Sequence, residues 1–142
     1  LISHQVMNTG GELHFLFNLY ERRTLLLNDQ AKPIKGARIC GIGVAYKPGV
    51  EDTRESPALK VLSILAERGA KVSFHDPLVE EAPIGGVAAR SVGLAKGFLG
   101  SQDLVIVFIP QEGVDWAALV QDSPLVFDCC NVLPPGERVT RL

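Results

Sequence analysis

The sequence predicts an α/β fold with a doubly wound, mostly parallel sheet. Short apolar segments alternate along the chain with segments whose apolar residues recur every three or four positions. The apolar segments are nearly continuous, which is typical of strands buried on both faces. Of the 142 residues, 46% are hydrophobic. The chain is therefore long and apolar enough to form one ordinary domain with a packed core.

The predicted strands and helices alternate from Ala37 onward. Four strands are expected, at Arg38–Val44, Lys71–His75, Leu104–Ile109 and Leu125–Phe127. Three helices are expected between them, at Pro57–Arg68, Gly93–Leu99 and Val114–Val120. Ser56 can cap the longest helix, Pro57 fits its first position and Gly69 can end it. This order of elements predicts a Rossmann-like three-layer sandwich.

An N-terminal amphipathic connecting helix is predicted before this sandwich. One helical face carries residues at spacings of three and four, namely Leu13, Leu16, Phe17, Tyr20, Thr24 and Leu27. The turn-rich segment Asn28–Gly36 follows it. We therefore predict two parts: residues 1–31 as the connecting helical segment and residues 32–142 as the α/β domain. The helix packs either on its own domain or on another domain or subunit, and the pattern favours neither.

Charge and composition exclude several classes of function. The net charge of −2 argues against a surface that binds nucleic acid or an anionic membrane. The longest strongly apolar stretch, Leu104–Ile109, is far shorter than the roughly 18 residues of a membrane helix, and no signal peptide is recognisable. The three cysteines have no metal-ligand spacing, so we expect no metal site and a reducing, cytoplasmic location. Because the chain begins with Leu1 rather than Met, we expect it to be part of a longer protein.

The glycine pair Gly41 and Gly43 suggests a dinucleotide fingerprint, but the rest of that motif is missing. The third glycine of G-x-G-x-x-G would stand at Tyr46, and the next predicted helix begins well downstream. We predict instead that both glycines lie inside the first strand and let a helix pack closely on it. Asp76 follows the second strand, where an acid that binds ribose can stand, but an Asp-Pro pair is equally typical of a turn.

The loop from Tyr46 to Ser56 is the candidate binding segment. Ligands of open α/β sheets bind beyond the carboxyl ends of the strands, and this loop follows the first strand directly. Lys47 and the N–H groups of the next helix suit phosphate oxygens, and Tyr46 can stack on a base or a sugar. The alternative is a solvated loop whose charged residues form weak ion pairs, and spacing alone favours that alternative.

A longer string of motifs carries a resemblance to a known family. The motifs are GVAYK at 43–47, DTRESP at 52–57, GAKV at 69–72 and HDP at 75–77, with KPIKG at 32–36 just upstream. This string closely resembles the start of the C-terminal, UDP-binding domain of the UDP-glucose/GDP-mannose dehydrogenase family. The match is dense from Lys32 to Pro77 and continues loosely to Val132. Together these motifs are far more specific than a lone glycine pattern.

The resemblance implies roles for particular residues. Enzymes of this family oxidise a sugar C6 alcohol to a carboxylate in two NAD-dependent steps. By position, Tyr46 and Lys47 would contact the nucleotide-sugar substrate, and Arg54 would reach NAD held mainly by an N-terminal domain absent from this chain. The family's cysteine nucleophile also lies outside this chain, so no catalytic residue is expected here. Cys130 stands where the family usually has a substrate-binding arginine, and Arg138 is one candidate to replace it.

Two hypotheses about function follow from the resemblance. In the first, the chain is the C-terminal UDP-sugar-binding domain of an NAD-dependent nucleotide-sugar 6-dehydrogenase and is inactive alone. Its expected partners are a nucleotide sugar, most consistent with a UDP-sugar, the missing NAD-binding domain and further copies of itself. In the second, it is a non-catalytic relative, a structural or oligomerisation module with a degraded ligand site. The Cys130 departure supports the second, and the Tyr46-Lys47 and Arg54 motifs support the first.

Overall fold

A computed structural model describes residues 34–141. Seven strands and three helices follow in chain order: β1 (Arg38–Ile42), α1 (Pro57–Glu67), β2 (Lys71–His75), β3 (Glu81–Ile84), β4 (Val87–Arg90), α2 (Lys96–Gly100), β5 (Leu104–Val107), α3 (Trp116–Asp122), β6 (Val126–Asp128) and β7 (Val139–Arg141). The predicted N-terminal helix, and with it the 1–31 segment, lies outside the described residues. The proposed boundary at residues 31 and 32 therefore stays a prediction.

Five of the strands form a parallel sheet in the order β2-β1-β5-β6-β7. The chain runs from β1 to its neighbour β2 and then crosses to β5, on the other side of β1. The direction of winding therefore reverses between β1 and β5. In open sheets of this kind, the crevice at the carboxyl ends of two such strands is the usual place for a ligand.

Helices cover both faces of the sheet, as the three-layer prediction requires. On one face, Leu62 of α1 packs in a cluster with Ile39, Phe74 and Phe127 of the strands. On the other face, Leu99 of α2 and Leu119 of α3 pack with strand residues that include Val105. All four residues of β5 are fully buried. The predicted α/β fold class is confirmed.

The sequence signals at both ends of α1 are confirmed. The Ser56 Oγ accepts a hydrogen bond from the amide of Leu59 at 3.4 Å and donates one to the carbonyl of Val44 at 2.7 Å. Pro57 is the first helical residue. Gly69 follows the helix with a φ of +95°, a left-handed conformation that glycine adopts without steric cost. Ser56 thus links the start of α1 to the end of β1.

Three strands, β3, β4 and β7, were not predicted, and three others, β1, β5 and β6, have bounds that differ from the predicted ones; β6 lies one residue later than predicted. Strands β3 and β4 form an antiparallel hairpin around Gly85 and Gly86, both with positive φ. A glycine pair between two short segments is a hairpin signal, but segments of four residues are too short to stand out. The edge strand β7 has only three residues. Strands β1 and β5 end at Ile42 and Val107, two residues before their predicted ends, because the chain turns out of the sheet there.

The two short helices begin later than predicted. Helix α3 begins at Trp116 because Asp115 caps it, its side chain accepting from the amide of Ala118 at 3.1 Å. Helix α2 spans five residues from Lys96. None of the helices in the 34–141 part of the chain combines the length and apolar character of a membrane span.

Candidate functional site

The candidate site lies at the carboxyl edge of the parallel sheet. Three segments leave the sheet at this edge: the loop 46–56 after β1, the segment that begins with Pro110 and Gln111 after β5, and the turn 128–133 after β6. The structure thus brings Tyr46, Lys47, Arg54 and Cys130 to one edge. The ligand-binding roles of these four residues remain predictions.

The loop 46–56 is closed by its own main chain. The amide of Tyr46 donates to the carbonyl of Asp52 at 2.7 Å, and the amide of Ser56 donates to the carbonyl of Thr53 at 3.2 Å. Tyr46 is 51% exposed and Lys47 is exposed beside it. An aromatic ring and an ammonium group therefore project into solvent next to the β1–β5 crevice.

Arg54 is held by its neighbour Asp52. The Nε and Nη2 atoms of Arg54 donate to the two carboxylate oxygens of Asp52 at 3.1 and 2.9 Å, and its amide donates to Oδ1 at 2.9 Å. These hydrogen bonds lower the pKa of Asp52 to about 2 and raise that of Arg54. The Arg54 side chain is 88% exposed, so the pair contributes little stability. It orients the guanidinium while leaving it accessible from outside the domain.

The first turn of α1 offers fewer free donors than the sequence suggests. Pro57 has no N–H group, and the amide of Leu59 is directed at the buried Ser56 Oγ. Ala58 is itself buried. An anion at this edge therefore depends more on Lys47 and the loop main chain than on the helix terminus.

The turn after β6 is organised by one buried carboxylate. Asp128, 1% exposed, accepts hydrogen bonds from the amides of Cys130 at 3.1 Å, Asn131 at 2.8 Å and Leu133 at 2.8 Å. The Sγ atom of Cys130 lies 3.6 Å from the same carboxylate. The shorter hydrogen bonds that hold the turn therefore come from main-chain amides and not from the side chain at position 130.

Arg138, the suggested replacement for the missing arginine, is not at this site. Its guanidinium donates to the carbonyls of Gln121 and Ser123 at 3.1 and 3.3 Å. It precedes β7 and therefore lies at the amino edge of the sheet. Arg141, aligned with Asp128 across the sheet, is at the carboxyl edge, and its guanidinium donates to the carbonyl of Leu133. The sequence does not separate these two arginines, because their positions depend on the register of a strand too short to predict.

The three cysteines are free thiols, of which Cys40 and Cys129 are buried and Cys130 is partly buried. Burial raises the pKa of Cys40 to about 12 and that of Cys129 well above its usual value. Burial and the adjacent Asp128 raise the pKa of Cys130 to about 12. The thiolate is the nucleophilic form of cysteine, so none of the three is prepared for covalent catalysis at neutral pH. Within residues 34–141, no group of His, Cys, Asp and Glu is arranged to hold a metal ion.

Backbone strain is concentrated in the two segments of the site. Among the described residues, the non-glycine residues with positive φ are Glu55, at +59°, and Asn131, at +62°. Glu55 lies in the loop after β1, and Asn131 lies in the turn after β6. Such conformations cost energy and are found more often at functional sites than elsewhere.

Glycine is required at positions 41 and 43 for different structural reasons. A Cβ on Gly41 would lie 2.9 Å from the Cδ1 of Leu62, so the predicted close packing of a helix on this strand is confirmed. The prediction is wrong for Gly43, which lies beyond β1 with a φ of +80°. A Cβ there would lie 2.4 Å from the carbonyl oxygen of Ile109. Gly43 therefore permits a close approach of two main-chain segments at the β1–β5 crevice.

The turn interpretation of Asp76 is the one that the structure supports. Asp76 is 2% exposed, and its Oδ1 accepts from the amide of Leu78 at 2.8 Å. Its carboxylate also accepts from the side chain of Gln111, at 3.2 Å to each oxygen. Gln111 is fully buried under the loop 46–56. Sequence reasoning assigned Gln111 no role, although a glutamine a few residues after a buried strand, at the edge where ligands bind, is a visible signal.

The fold and the position of the site define the class of protein: a doubly wound, parallel α/β domain with a candidate nucleotide site at its β1–β5 crevice. Comparison with known families agrees with this class. Residues 41–135 match the family described as the UDP-glucose/GDP-mannose dehydrogenase family, UDP binding domain. The chain belongs to this family, as its motifs predicted.

Curated relatives are similar over part of their length. A UDP-glucose 6-dehydrogenase of Pseudomonas aeruginosa is 41% identical over 91 residues, which are 62% of this chain and 18% of that protein. A UDP-N-acetyl-D-mannosamine dehydrogenase of Methanococcus maripaludis is 32% identical over 102 residues, 70% of this chain and 24% of the relative. This chain thus spans a quarter or less of these two relatives. The matches favour the dehydrogenase-domain hypothesis over the non-catalytic one.

Solved structures show the same fold. The NDP-N-acetyl-D-galactosaminuronic acid dehydrogenase of Methanosarcina mazei superposes with a TM-score of 0.72 at 20% identity, covering 89% of this chain and 28% of that one. The UDP-D-ManNAc dehydrogenase of Pyrococcus horikoshii gives a TM-score of 0.68 at 22% identity, covering 90% and 30%. At these identities the likeness concerns the fold alone.

Proposed function

We propose that this chain binds the UDP part of a nucleotide sugar as the C-terminal domain of an NAD-dependent 6-dehydrogenase, which oxidises a sugar C6 alcohol to a carboxylate. The observation that carries the proposal is the position of the loop 46–56, which presents Tyr46 and Lys47 at the switch-point crevice of a domain that belongs to the UDP-binding family. Lys47 would pair with a phosphate oxygen, and Tyr46 would stack on the base or the sugar.

The turn 128–133 forms the second wall of the proposed site. At position 130 a cysteine cannot supply the guanidinium fork that binds phosphate or sugar hydroxyls. Arg141 places a second guanidinium at this edge, in addition to that of Arg54, and donates to the carbonyl of Leu133 in the same turn. We propose that Arg141 partly compensates for Cys130 by placing a positive charge beside the turn.

Arg54 is the proposed contact to the cofactor. NAD, held mainly by another domain, would accept the hydride of each oxidation step. The residues of this chain fit a supporting role: the Arg54 guanidinium is fixed by Asp52 yet 88% exposed, so it can reach an anionic group outside this domain. The raised pKa values of the three thiols support the proposal that the covalent nucleophile lies elsewhere in the whole enzyme.

The proposal extends to assembly and location. We propose that the complete protein is a homo-oligomer and that it works in the cytoplasm. The oligomer proposal rests on the apolar face predicted within residues 13–27. The proposal of a cytoplasmic location rests on the three cysteines, which are all free thiols.

Titration with UDP tests the binding proposal. We expect the amides of residues 46–54 to shift in NMR spectra, and a weak dissociation constant by calorimetry. Lys47→Met should weaken binding about tenfold, because one charge-assisted hydrogen bond is worth about 1.5 kcal/mol or somewhat more. Lys71→Met is the matched control, since this exposed lysine starts β2 at the opposite edge of the sheet. No response at millimolar UDP, or equal loss in both variants, would contradict the proposal.

Activity measurements test the proposal that this chain is one domain of a dehydrogenase and has no activity alone. The 142-residue chain should not reduce NAD in the presence of UDP-glucose or a related nucleotide sugar. Turnover above a blank would show that this chain carries its own nucleophile and cofactor site.

A further inference from the structure

A buried carboxylate and a buried amide lie directly beneath the loop 46–56. Asp76 is 2% exposed and Gln111 is 0% exposed. The Nε2 of Gln111 donates to both Asp76 oxygens at 3.2 Å. Neither residue is among the proposed ligand contacts. We call the two residues together the Asp76–Gln111 brace.

The brace connects the carboxyl ends of three neighbouring strands. Asp76 follows β2, and its Oδ2 accepts from the amide of Val44, just beyond β1, at 2.9 Å. Gln111 follows β5, on the other side of β1. The brace therefore crosses the crevice between β1 and β5 beneath the loop 46–56.

Gln111 also holds the loop itself. Its Oε1 accepts from the amide of Gly49 at 2.7 Å, and its Nε2 donates to the carbonyl of Val50 at 3.2 Å. Gly49 lies two residues after Lys47, near the tip of the loop. A side chain here must both donate to a carboxylate and accept from an amide, which glutamine does and an apolar residue does not. Asp76 fixes the orientation of that amide group.

We propose that Gln111, oriented by Asp76, is a positioning residue that fixes the loop 46–56 and so holds Tyr46 and Lys47 ready for the nucleotide sugar. The inference rests on the proposed function. A loop left to order only on binding loses backbone entropy at that moment, which weakens the affinity. The brace orders the loop before the ligand arrives.

The matched substitutions Gln111→Met and Gln102→Met separate positioning from general stability. Gln102 is also a buried glutamine, but its Nε2 bonds to Phe98 and Ser101 at the end of α2. Both variants of the full chain should have lower melting temperatures. Only Gln111→Met should bind UDP about tenfold more weakly, and only it should speed hydrogen exchange of the Gly49 amide. UDP binding unchanged in Gln111→Met, or equally weakened in both variants, would overturn the inference.

Hydrogen exchange in the unaltered chain tests the brace without any variant. The Gly49 amide should be protected in the absence of ligand, since its acceptor is a buried side chain. A Gly49 amide that exchanges as fast as an open loop would overturn the inference even if UDP binds. If the amide is protected but the unaltered chain does not bind UDP, the proposed function fails and the positioning role falls with it, while the brace stands as a structural contact.

Discussion

Replacing Cys130 by arginine is expected to tighten the binding of UDP about tenfold. The turn should keep its shape, because Asp128 holds it through the amides of Cys130, Asn131 and Leu133 and not through the cysteine side chain. A charge-assisted hydrogen bond from the new guanidinium to a phosphate is worth about 1.5–3 kcal/mol, which corresponds to about 10- to 100-fold in affinity. The carboxylate of Asp128, 3.6 Å from the Cys130 Sγ, competes for the guanidinium. We therefore expect the lower end of this range.

Isothermal titration calorimetry of Cys130→Arg with UDP is the appropriate assay. Cys130→Met is the control, because it adds length at the same position without adding charge. Thermal unfolding of both variants shows whether the turn is intact. Unchanged or weaker binding by Cys130→Arg in a folded variant, or equally tight binding by Cys130→Met, would refute the reasoning that this turn contacts the phosphates.

Three further predictions concern stability and assembly. Gly43→Ala should lower the free energy of unfolding in urea more than Gly49→Ala. Both residues have a φ of +80°, a left-handed conformation that costs alanine about 1–2 kcal/mol, but only a Cβ at position 43 would meet main-chain atoms, 2.4 Å from the Ile109 oxygen. Equal losses of stability in the two variants would contradict this close approach. Stability should decline above pH 9, because burial raises the pKa of Cys40 from 9.0 to about 12 and the pKa values of Cys129 and Cys130 are raised in the same direction, so the unfolded chain loses these protons first. The contribution of Cys40 is about 1.4 kcal/mol at pH 10, and a pH profile of denaturant midpoints that is as steep in Cys40→Ala as in the unaltered chain would refute it. The chain should self-associate through its predicted N-terminal apolar face, which carries Leu13, Leu16, Phe17 and Tyr20. Sedimentation velocity tests this, and a monomer at every concentration would count against it.

The layered fold was predictable because strands that are buried on both faces of a sheet consist of nearly continuous apolar residues. The strand β2 has the bounds predicted for it, and α1 differs from its prediction by a single residue at its end. Continuous apolar runs, the Ser56 cap and the glycine at position 69 are local signals with local causes. The hairpin β3–β4 and the edge strand β7 escaped prediction because short, half-exposed strands acquire their structure from neighbours rather than from their own pattern.

Some residues of the candidate site could be predicted from local sequence motifs, and others are brought there only by tertiary contacts. Motifs around Tyr46, Lys47 and Arg54 identified the family and marked the loop 46–56 as the candidate binding segment from sequence alone, since those residues are consecutive or nearly so. The sheet order decided the rest: it placed Arg141 and not Arg138 at the carboxyl edge. It also brought Gln111 beneath the loop residues Gly49 and Val50, which precede it by 62 and 61 positions. Contacts between such distant segments depend on strand register and on the crossing of the chain from β2 to β5. A linear pattern carries no trace of either, because both are set by how the buried faces pack together.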